Sequence, residues 1–233
     1  MKWNDRAMTP IEKIEPRVNN LTVILLGLVR NLFIYFILFS SISSAASSLK
    51  VEHISMADGL PNPSIICQLQ DRKGFMWFGT KKGLVRYDGY DFTLYQQDND
   101  NPYSISHSYI NALYEDKLGY LWIGTDGGGL NRFDPVTEKF KLYQYQANNA
   151  GSISNNTVFV IEPSYDEKLW IGTANGLNLL DPKAGTFDVF RHQHNVQSTI
   201  SANSIRSILS KPDGSLWLGF NNGVLDWFDP NAG

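Results

Sequence analysis

The sequence has one cysteine, Cys67, so no disulfide can form within a single chain even in an oxidising compartment. Charge is scarce as well: 18% of the 233 residues are Asp, Glu, Lys or Arg, and a formal net charge of -3 leaves no electrostatic footprint for a nucleic-acid partner. Past the first fifty residues there is no long amphipathic run at the helical period, which argues against a helical bundle or solenoid. The four histidines, His53, His107, His192 and His194, are not poised beside a serine or cysteine nucleophile, so no catalytic residue is assigned. His192 and His194 would share one side of a strand, but a third ligand is missing and no metal site is expected. Asp126-Gly127-Gly128-Gly129 lacks the alternating acidic ligands of a calcium loop and the Lys-Ser/Thr of a phosphate loop. It reads as a hairpin one residue longer than its counterparts, and no cofactor is expected.

What is plentiful is aromatic residues, at 13%, and glycine, with 19, a composition suited to short strands joined by tight turns. One stretch is written four times: Met76-Trp77-Phe78-Gly79-Thr80, Leu121-Trp122-Ile123-Gly124-Thr125, Leu169-Trp170-Ile171-Gly172-Thr173 and Leu216-Trp217-Leu218-Gly219-Phe220. Successive tryptophans lie 45, 48 and 47 residues apart, the length of one four-stranded propeller blade with its turns. Side chains alternate along a strand, so Trp122 and Gly124 share one face while Leu121, Ile123 and Thr125 take the other. A strand apolar on both faces is what burial between two neighbouring sheets requires. The glycine beside each indole removes a Cβ and lets the next sheet approach. Trp77, Gly79, Trp122, Gly124, Trp170, Gly172, Trp217 and Gly219 are therefore structural positions of the repeat, and the fold is all-β, a propeller of four blades of four-stranded antiparallel sheet.

The other strands fall at fixed distances from the tryptophans. A β-branched residue, Ile65, Ile110, Val158 or Ile205, stands twelve residues before each and opens a first strand of about six residues. Hairpins such as Asp71-Arg72-Lys73-Gly74 and Asp116-Lys117-Leu118-Gly119 follow, with Asp bonding the local backbone and Gly supplying positive φ. Pro212-Asp213-Gly214 reads as a tighter version, and Ser164-Tyr165-Asp166-Glu167 as a looser one. The third strand starts after Gly83, Gly129, Gly176 or Gly223, and a fourth strand follows at 92–95, 140–143 and 187–190, with no counterpart in the last copy. Cys67 aligns with Ala112, Val160 and Ser207 and reads as a small buried residue rather than a reactive thiol. Blades are expected at about 62–97, 107–145, 155–192 and 202–233, joined by polar linkers whose lone Ile105, Ile153 or Ile200 plugs the loop. Residues 51–54 stand where an outer closing strand would lie. They fit a chain cut from a longer propeller, and they also fit a ring of four blades onto which the strand docks.

Ahead of the repeats, residues 1–46 hold a polar, basic leader, the apolar segment 21–39 and a small-residue run near Ser43-Ser44-Ala45. This fits a signal peptide. It also fits an uncleaved N-terminal hydrophobic helix acting as an anchor, although Arg30 at mid-span would cost at least ~2.5 kcal/mol in a bilayer. Both readings place the repeats outside the cytoplasm, either periplasmic or held at the inner membrane. The exported part is mildly acidic, since residues 1–46 carry five of the 20 Lys and Arg but three of the 23 Asp and Glu.

The pattern Asp-x-x-Gly-x-x-Trp-x-Gly-Thr, followed by Gly-Leu and an aromatic-Asp pair, with Ser-Ile-Ser linkers and the opening Asp58-Gly59-Leu60-Pro61, resembles the two-component regulator propeller family across residues 51–233. The resemblance implies a blade set from a seven-bladed ring in the periplasmic part of a membrane sensor. It implies further blades, an immunoglobulin-like domain and a histidine kinase or diguanylate cyclase output in a longer parent, none of them present here. It also implies an unidentified small-molecule or carbohydrate ligand and no catalysis by this chain. Two other readings are a propeller enzyme, a lyase or hydrolase, and a protein-interaction scaffold. The aspartate hairpins are similar to the Asp boxes of sialidases, but those boxes are structural and carry no glycosidase chemistry. A ligand is expected at the turns between second and third strands, where the copies differ most: Lys81, Lys82, Asp126, Asn175, Asn221 and Asn222.

Overall fold

The computed structural model describes residues 24–25, 27–32, 50–196 and 198–230. Contacts divide the chain into two units, Met1–Glu52 and His53–Gly233. In the first, residues 24–25 and 27–32 are helical with exposed apolar side chains. No helix among the described residues is long and apolar enough to cross a membrane. The rest of the apolar segment 21–39 and the small-residue run near 43–45 lie outside the described residues.

The second unit is all-β, with fifteen strands in four antiparallel sheets. The first sheet is β1 Ile65–Gln70, β2 Met76–Thr80, β3 Gly83–Tyr87 and β4 Phe92–Tyr95. The second is β5 Ile110–Glu115, β6 Leu121–Thr125, β7 Leu130–Asp134 and β8 Lys139–Tyr143. The third is β9 Val158–Pro163, β10 Leu169–Thr173, β11 Gly176–Asp181 and β12 Thr186–Phe190. The fourth has only β13 Ile205–Ser210, β14 Leu216–Phe220 and β15 Leu225–Phe228. Each sheet is ordered as its strands follow in sequence, the simple meander of a propeller blade. The description as four blades of four strands is corrected at the fourth, which has three among the described residues, in line with the fourth-strand pattern that has no counterpart in the last copy. The outer closing strand expected at 51–54 is not formed either, since those residues are in no strand and belong to none of the four sheets. A short 3-10 helix, Met56–Asp58, follows it.

The repeated strand is buried where it has a sheet on both sides. All five residues of β6 and of β10 are buried. Trp77, Trp122 and Trp170 are at most 2% exposed, each beside the closing aromatic of its own blade's fourth strand. The ring centroids are 6.0 Å apart for Trp77–Tyr95, 5.6 Å for Trp122–Tyr143 and 5.8 Å for Trp170–Phe190. The glycine two residues on receives the first strand of the following blade. A Cβ at Gly124 would stand 2.6 Å from Val158 Cγ1, one at Gly79 2.8 Å from Ile110 Cγ2, and one at Gly172 2.8 Å from Ile205 Cγ2. Those β-branched residues are wholly buried. Each first strand also has a register shift that the alternating pattern did not reveal, a bulge that brings Cys67, Ala112, Val160 and Ser207 opposite the same glycines. Cys67 is half-buried there, and burial pushes its thiol up to about 12, so it stays protonated and inert at neutral pH.

The hairpins between first and second strands share one frame. The closing bond runs from Asp71 N to Phe75 O at 3.0 Å, Asp116 N to Tyr120 O at 3.0 Å, Ser164 N to Lys168 O at 2.9 Å and Lys211 N to Ser215 O at 2.9 Å. The third loop is therefore no longer than the others and the fourth no tighter. What distinguishes the third is Glu167, held at φ 66 where Gly74, Gly119 and Gly214 stand elsewhere. In the first two blades the turn aspartate also fixes the core, since Trp77 Nε1 donates to Asp71 Oδ2 and Trp122 Nε1 to Asp116 Oδ2, both at 2.8 Å. Ser164 and Lys211 occupy that place in the other blades, and neither offers the carboxylate that takes the indole N–H there.

Gly124→Val should cost about 1 to 3 kcal/mol or more through overpacking against Val158, and Gly119→Ala on the order of 1 kcal/mol for its positive φ. Urea melts showing the reverse order would contradict the close-approach role of Gly124. Asp116→Ala removes acceptors for Leu118 N, Tyr120 N and Trp122 Nε1 and should cost about 2 kcal/mol or more. Ser164→Ala at the matching place should lie within about 0.5 kcal/mol of the parent. Equal midpoints for these two variants would show that the indole bond contributes nothing.

Candidate functional site

The turns between second and third strands share one edge of the sheets with the linkers that join the blades. Asp126 N donates to Tyr109 O at 2.9 Å, while Gly127 N and Gly129 N donate to Asn156 O at 3.1 and 2.7 Å. In the next blade Ala174 N donates to Thr157 O at 3.0 Å and Gly176 N to Asn203 O at 2.8 Å. Asn221 N reaches Ser204 O at 3.3 Å. In blades two to four the turn is thereby pinned to the linker of its own blade, to that of the next, or to both, while in the first blade Lys82 N donates to Thr80 Oγ1 and Lys82 O accepts from Gln96 Nε2.

The threonine of the repeat tightens this edge. Its hydroxyl donates back across the turn, Thr80 Oγ1 to Gly83 O at 2.8 Å, Thr125 Oγ1 to Gly129 O at 2.8 Å and Thr173 Oγ1 to Gly176 O at 2.9 Å. Phe220 holds that position in the fourth blade and cannot do so. The turn at Asp126 is one residue longer than those of the first and third blades, but the expectation that it is longer than all its counterparts is corrected at the fourth, where Phe220 N closes on Val224 O as Thr125 N does on Gly129 O. Gly128 lies where a Cβ would meet Ser106 Oγ at 2.5 Å.

A second latch holds the linkers, and the sequence reading missed it. Asn131 and Asn178, on β7 and β11, are wholly buried. Asn131 Oδ1 accepts from Ser106 N at 2.9 Å, and Asn178 Oδ1 from Ser154 N at 2.8 Å. In the fourth blade Asp226 plays the part, accepting from Ser201 N at 2.7 Å and Ser201 Oγ at 2.6 Å. The neighbouring plugs behave as expected: Ile105 and Ile153 are wholly buried and Ile200 is 4% exposed. The usable signal was the polar residue after the first Leu of the third strand in blades two to four, Leu130-Asn131, Leu177-Asn178 and Leu225-Asp226, paired with the Ser that closes each Ser-Ile-Ser or Thr-Ile-Ser.

With the backbone so pinned, five of the six expected ligand-binding residues, Lys81, Lys82, Asn175, Asn221 and Asn222, present exposed side chains along this edge. Asp126 is half-buried, its Oδ1 accepting from Thr157 Oγ1 at 3.2 Å. Lys81 Nζ sits 5.7 Å from the centre of the Tyr109 ring. Among the described residues no hydrogen bond or ion pair joins one of the six to another. They form a row of separately anchored polar groups rather than a closed constellation.

Two hollows lie at the opposite edge, between the first hairpins of neighbouring blades. One of about 230 Å³ has Arg72, Glu115, Leu118 and Val136 on its walls, and one of about 270 Å³ has Tyr114, Lys117, Pro163, Lys168 and Lys183. Arg72 bridges the first, with Nε 3.6 Å from Glu115 Oε2 and Nη1 donating to Lys117 O at 2.8 Å. These residues read in sequence as ordinary solvated hairpins, so nothing marked the hollows in advance. His192 Nδ1 lies 2.8 Å from Ile200 O, an ordinary loop contact.

Comparison with known proteins follows the repeats. Residues 59–82 and 104–127 match the two component regulator propeller family. Over 83 residues the chain is 34% identical to histidine kinase P4 of Formosa agariphila, which is 34% of this chain and 6% of that protein. An extracellular domain from a hybrid two component system of B. thetaiotaomicron superposes with a TM-score of 0.58 at 25% identity, over 77% of this chain and 30% of that one. A second from the same organism, assigned to a one component system, gives a TM-score of 0.62 at 27% identity, over 78% of this chain and 26% of that one. Virginiamycin B lyase of Staphylococcus aureus shares the fold alone, with a TM-score of 0.51 at 19% identity. The chain thus spans under a third of the length of the sensor proteins it matches.

Asn178→Ala should cost about 1 to 3 kcal/mol by leaving Ser154 N buried without its acceptor. Amide exchange at Ser154 should quicken along with the fall in the urea midpoint. Unchanged exchange there would mean that the buried amide of β11 does not hold the linker.

Proposed function

We propose, on the premise that the repeats of this chain are two-component regulator propeller repeats, that it is an extracytoplasmic ligand-sensing module of a membrane signal-transduction protein. The observation that carries this reading is the similarity to extracellular domains of sensor systems at 25% and 27% identity over more than three quarters of the chain. In this reading the kinase or cyclase output and any further blades lie outside the chain, and the chain itself has no catalytic activity. The repeats work outside the inner membrane, with the N-terminal segment engaging the membrane or the secretion machinery.

The ligand meets the edge that carries Lys81, Lys82, Asp126, Asn175, Asn221 and Asn222. Two features support that choice. The backbone of these turns is fixed by hydrogen bonds, to the linkers in blades two to four and to Thr80 and Gln96 in the first, so little order has to be imposed on binding. The side chains above it are amides, ammonium groups and one carboxylate, which suit a hydroxyl-rich or anionic small molecule such as a carbohydrate. The strands of the second and third blades are occupied in packing, whereas the residues of these turns differ from blade to blade.

Melting of the full chain in the presence of a panel of neutral and acidic oligosaccharides tests the proposal. A ligand at a hundred times its Kd adds about 2.7 kcal/mol, which for a domain of this size is a rise of about 5 to 10 °C in Tm. Alanine at all six positions should abolish that rise while leaving the Tm without ligand within about 2 °C of the parent. A rise that survives the sixfold change would move the ligand away from this edge, and no rise with any sugar would remove carbohydrate as the ligand class.

A further inference from the structure

The two hollows at the hairpin edge are built from matching places in successive blades, so they differ position by position. Leu121 and Pro135 in the first correspond to Leu169 and Pro182 in the second. In the first hollow the cation Arg72 is answered from the facing blade. Its backbone N donates to Glu115 Oε2 at 3.0 Å, its Nε stands 3.6 Å from the same oxygen, and Nη1 and Nη2 donate to Lys117 O and Asp116 O. In the second hollow Lys117 holds the place of Arg72, but Pro163 holds the place of Glu115, each seven residues before the tryptophan of its blade. The counter-ion is replaced by an apolar ring. Among the described residues no carboxylate comes within ion-pair distance of Lys117. Glu167 gives its Oε2 to Lys183 Nζ at 3.0 Å, and Asp116 is taken by Leu118 N, Tyr120 N and Trp122 Nε1. Tyr114, on the same walls, is half-buried, and burial raises its phenol above the usual value, so its hydroxyl stays a donor.

We propose that the hollow between blades two and three is a second binding site, for a small aromatic carboxylate. The carboxylate of the ligand takes the part that Glu115 plays in the first hollow, against Lys117, with the Tyr114 hydroxyl as a further donor. Its ring lies on the hydrocarbon of Pro163, Leu169 and Pro182. Charge favours an anion, since Lys117, Lys168 and Lys183 on these walls outnumber Asp116 and Glu167. Size favours one ring, because about 270 Å³ falls just below the range of about 300 to 1,000 Å³ that larger ligands occupy. An aromatic body fits better than a sugar, because the acids that would accept from hydroxyl groups are already engaged and an unpaired hydroxyl against proline and leucine is costly. Both flanking blades have four strands and have their neighbours within the chain, so the hollow owes nothing to the first or last blade. It lies at the edge opposite the turns assigned to the sensed ligand, and it does not rest on that reading.

Fluorine NMR titration of the full chain with 4-fluorobenzoate should show saturable binding, and 4-fluorobenzamide, of the same shape without the charge, should bind about tenfold more weakly. Lys117→Ala should weaken the acid by about fivefold or more. Pro163→Glu gives Lys117 the counter-ion of the first hollow and should abolish binding. Pro163→Gln, which alters the same wall without the charge, should stay within about threefold of the parent and so controls for folding. The sixfold alanine variant of the turn edge should bind the acid as the parent does. No saturable binding, equal affinity for the amide, or undiminished binding in Pro163→Glu would each overturn the site, and loss of binding in the sixfold variant would place the acid at the turn edge instead.

Discussion

Everything in the propeller unit depends on one contact, a β-branched side chain pressed onto a glycine of the preceding sheet. Ile110 on Gly79, Val158 on Gly124 and Ile205 on Gly172 set the spacing between blades, and an added Cβ at any of the three glycines would fall within 2.8 Å of the incoming side chain. Close approach there is what removes the indole of the same face from water. Full burial of so large a side chain contributes upward of about 2 kcal/mol per blade, so the contact governs the largest local gain in each repeat. The bulge in every first strand belongs to the same arrangement, because it turns a small side chain toward that glycine in place of a large one.

The hydrogen bonds at the two edges of the sheets divide the remaining work. At one edge Asp71 and Asp116 close a hairpin and hold an indole in a single rotamer. At the other, threonine hydroxyls, buried asparagines and linker carbonyls fasten the turns that follow the tryptophan strands. Residues engaged in such bonds cannot vary freely, whereas the exposed side chains above them can. A rigid scaffold carrying variable polar turns is the usual way a β fold presents recognition groups. The fourth blade departs from each of these devices, with Lys211 for the aspartate, Phe220 for the threonine and Asp226 for the asparagine, and it is also the blade with a bare face.

The same five-residue strand seen in four surroundings separates propensity from context. In β6 and β10 both faces are buried, in β2 the residues of one face are half-buried, and in β14 the residues of the other are exposed or half-buried. The sequence of the strand hardly changes, so the difference comes from which neighbour is present. Burial here is a property of the stack and not of the strand.

The sequence by itself determined the number of blades, the bounds of the tryptophan strands and the β-branched residue that opens each first strand. It could do so because a period of 45 to 48 residues repeats one local solution, and each strand carries its own alternation and turn residues. Only the tertiary structure decided that the third hairpin keeps the common frame with Glu167 at positive φ, that Asn131 and Asn178 hold the linkers, that residues 51–54 find no ladder, and that hollows open between neighbouring hairpins. The latches and the hollows depend on distant pairs, such as Ser154 with Asn178, 24 positions apart, or Arg72 with Lys117, 45 apart, whose meeting is set by the twist and stacking of whole sheets. A pattern read along one strand carries the strand's own period, and it carries no information about which distant side chain will lie across the gap.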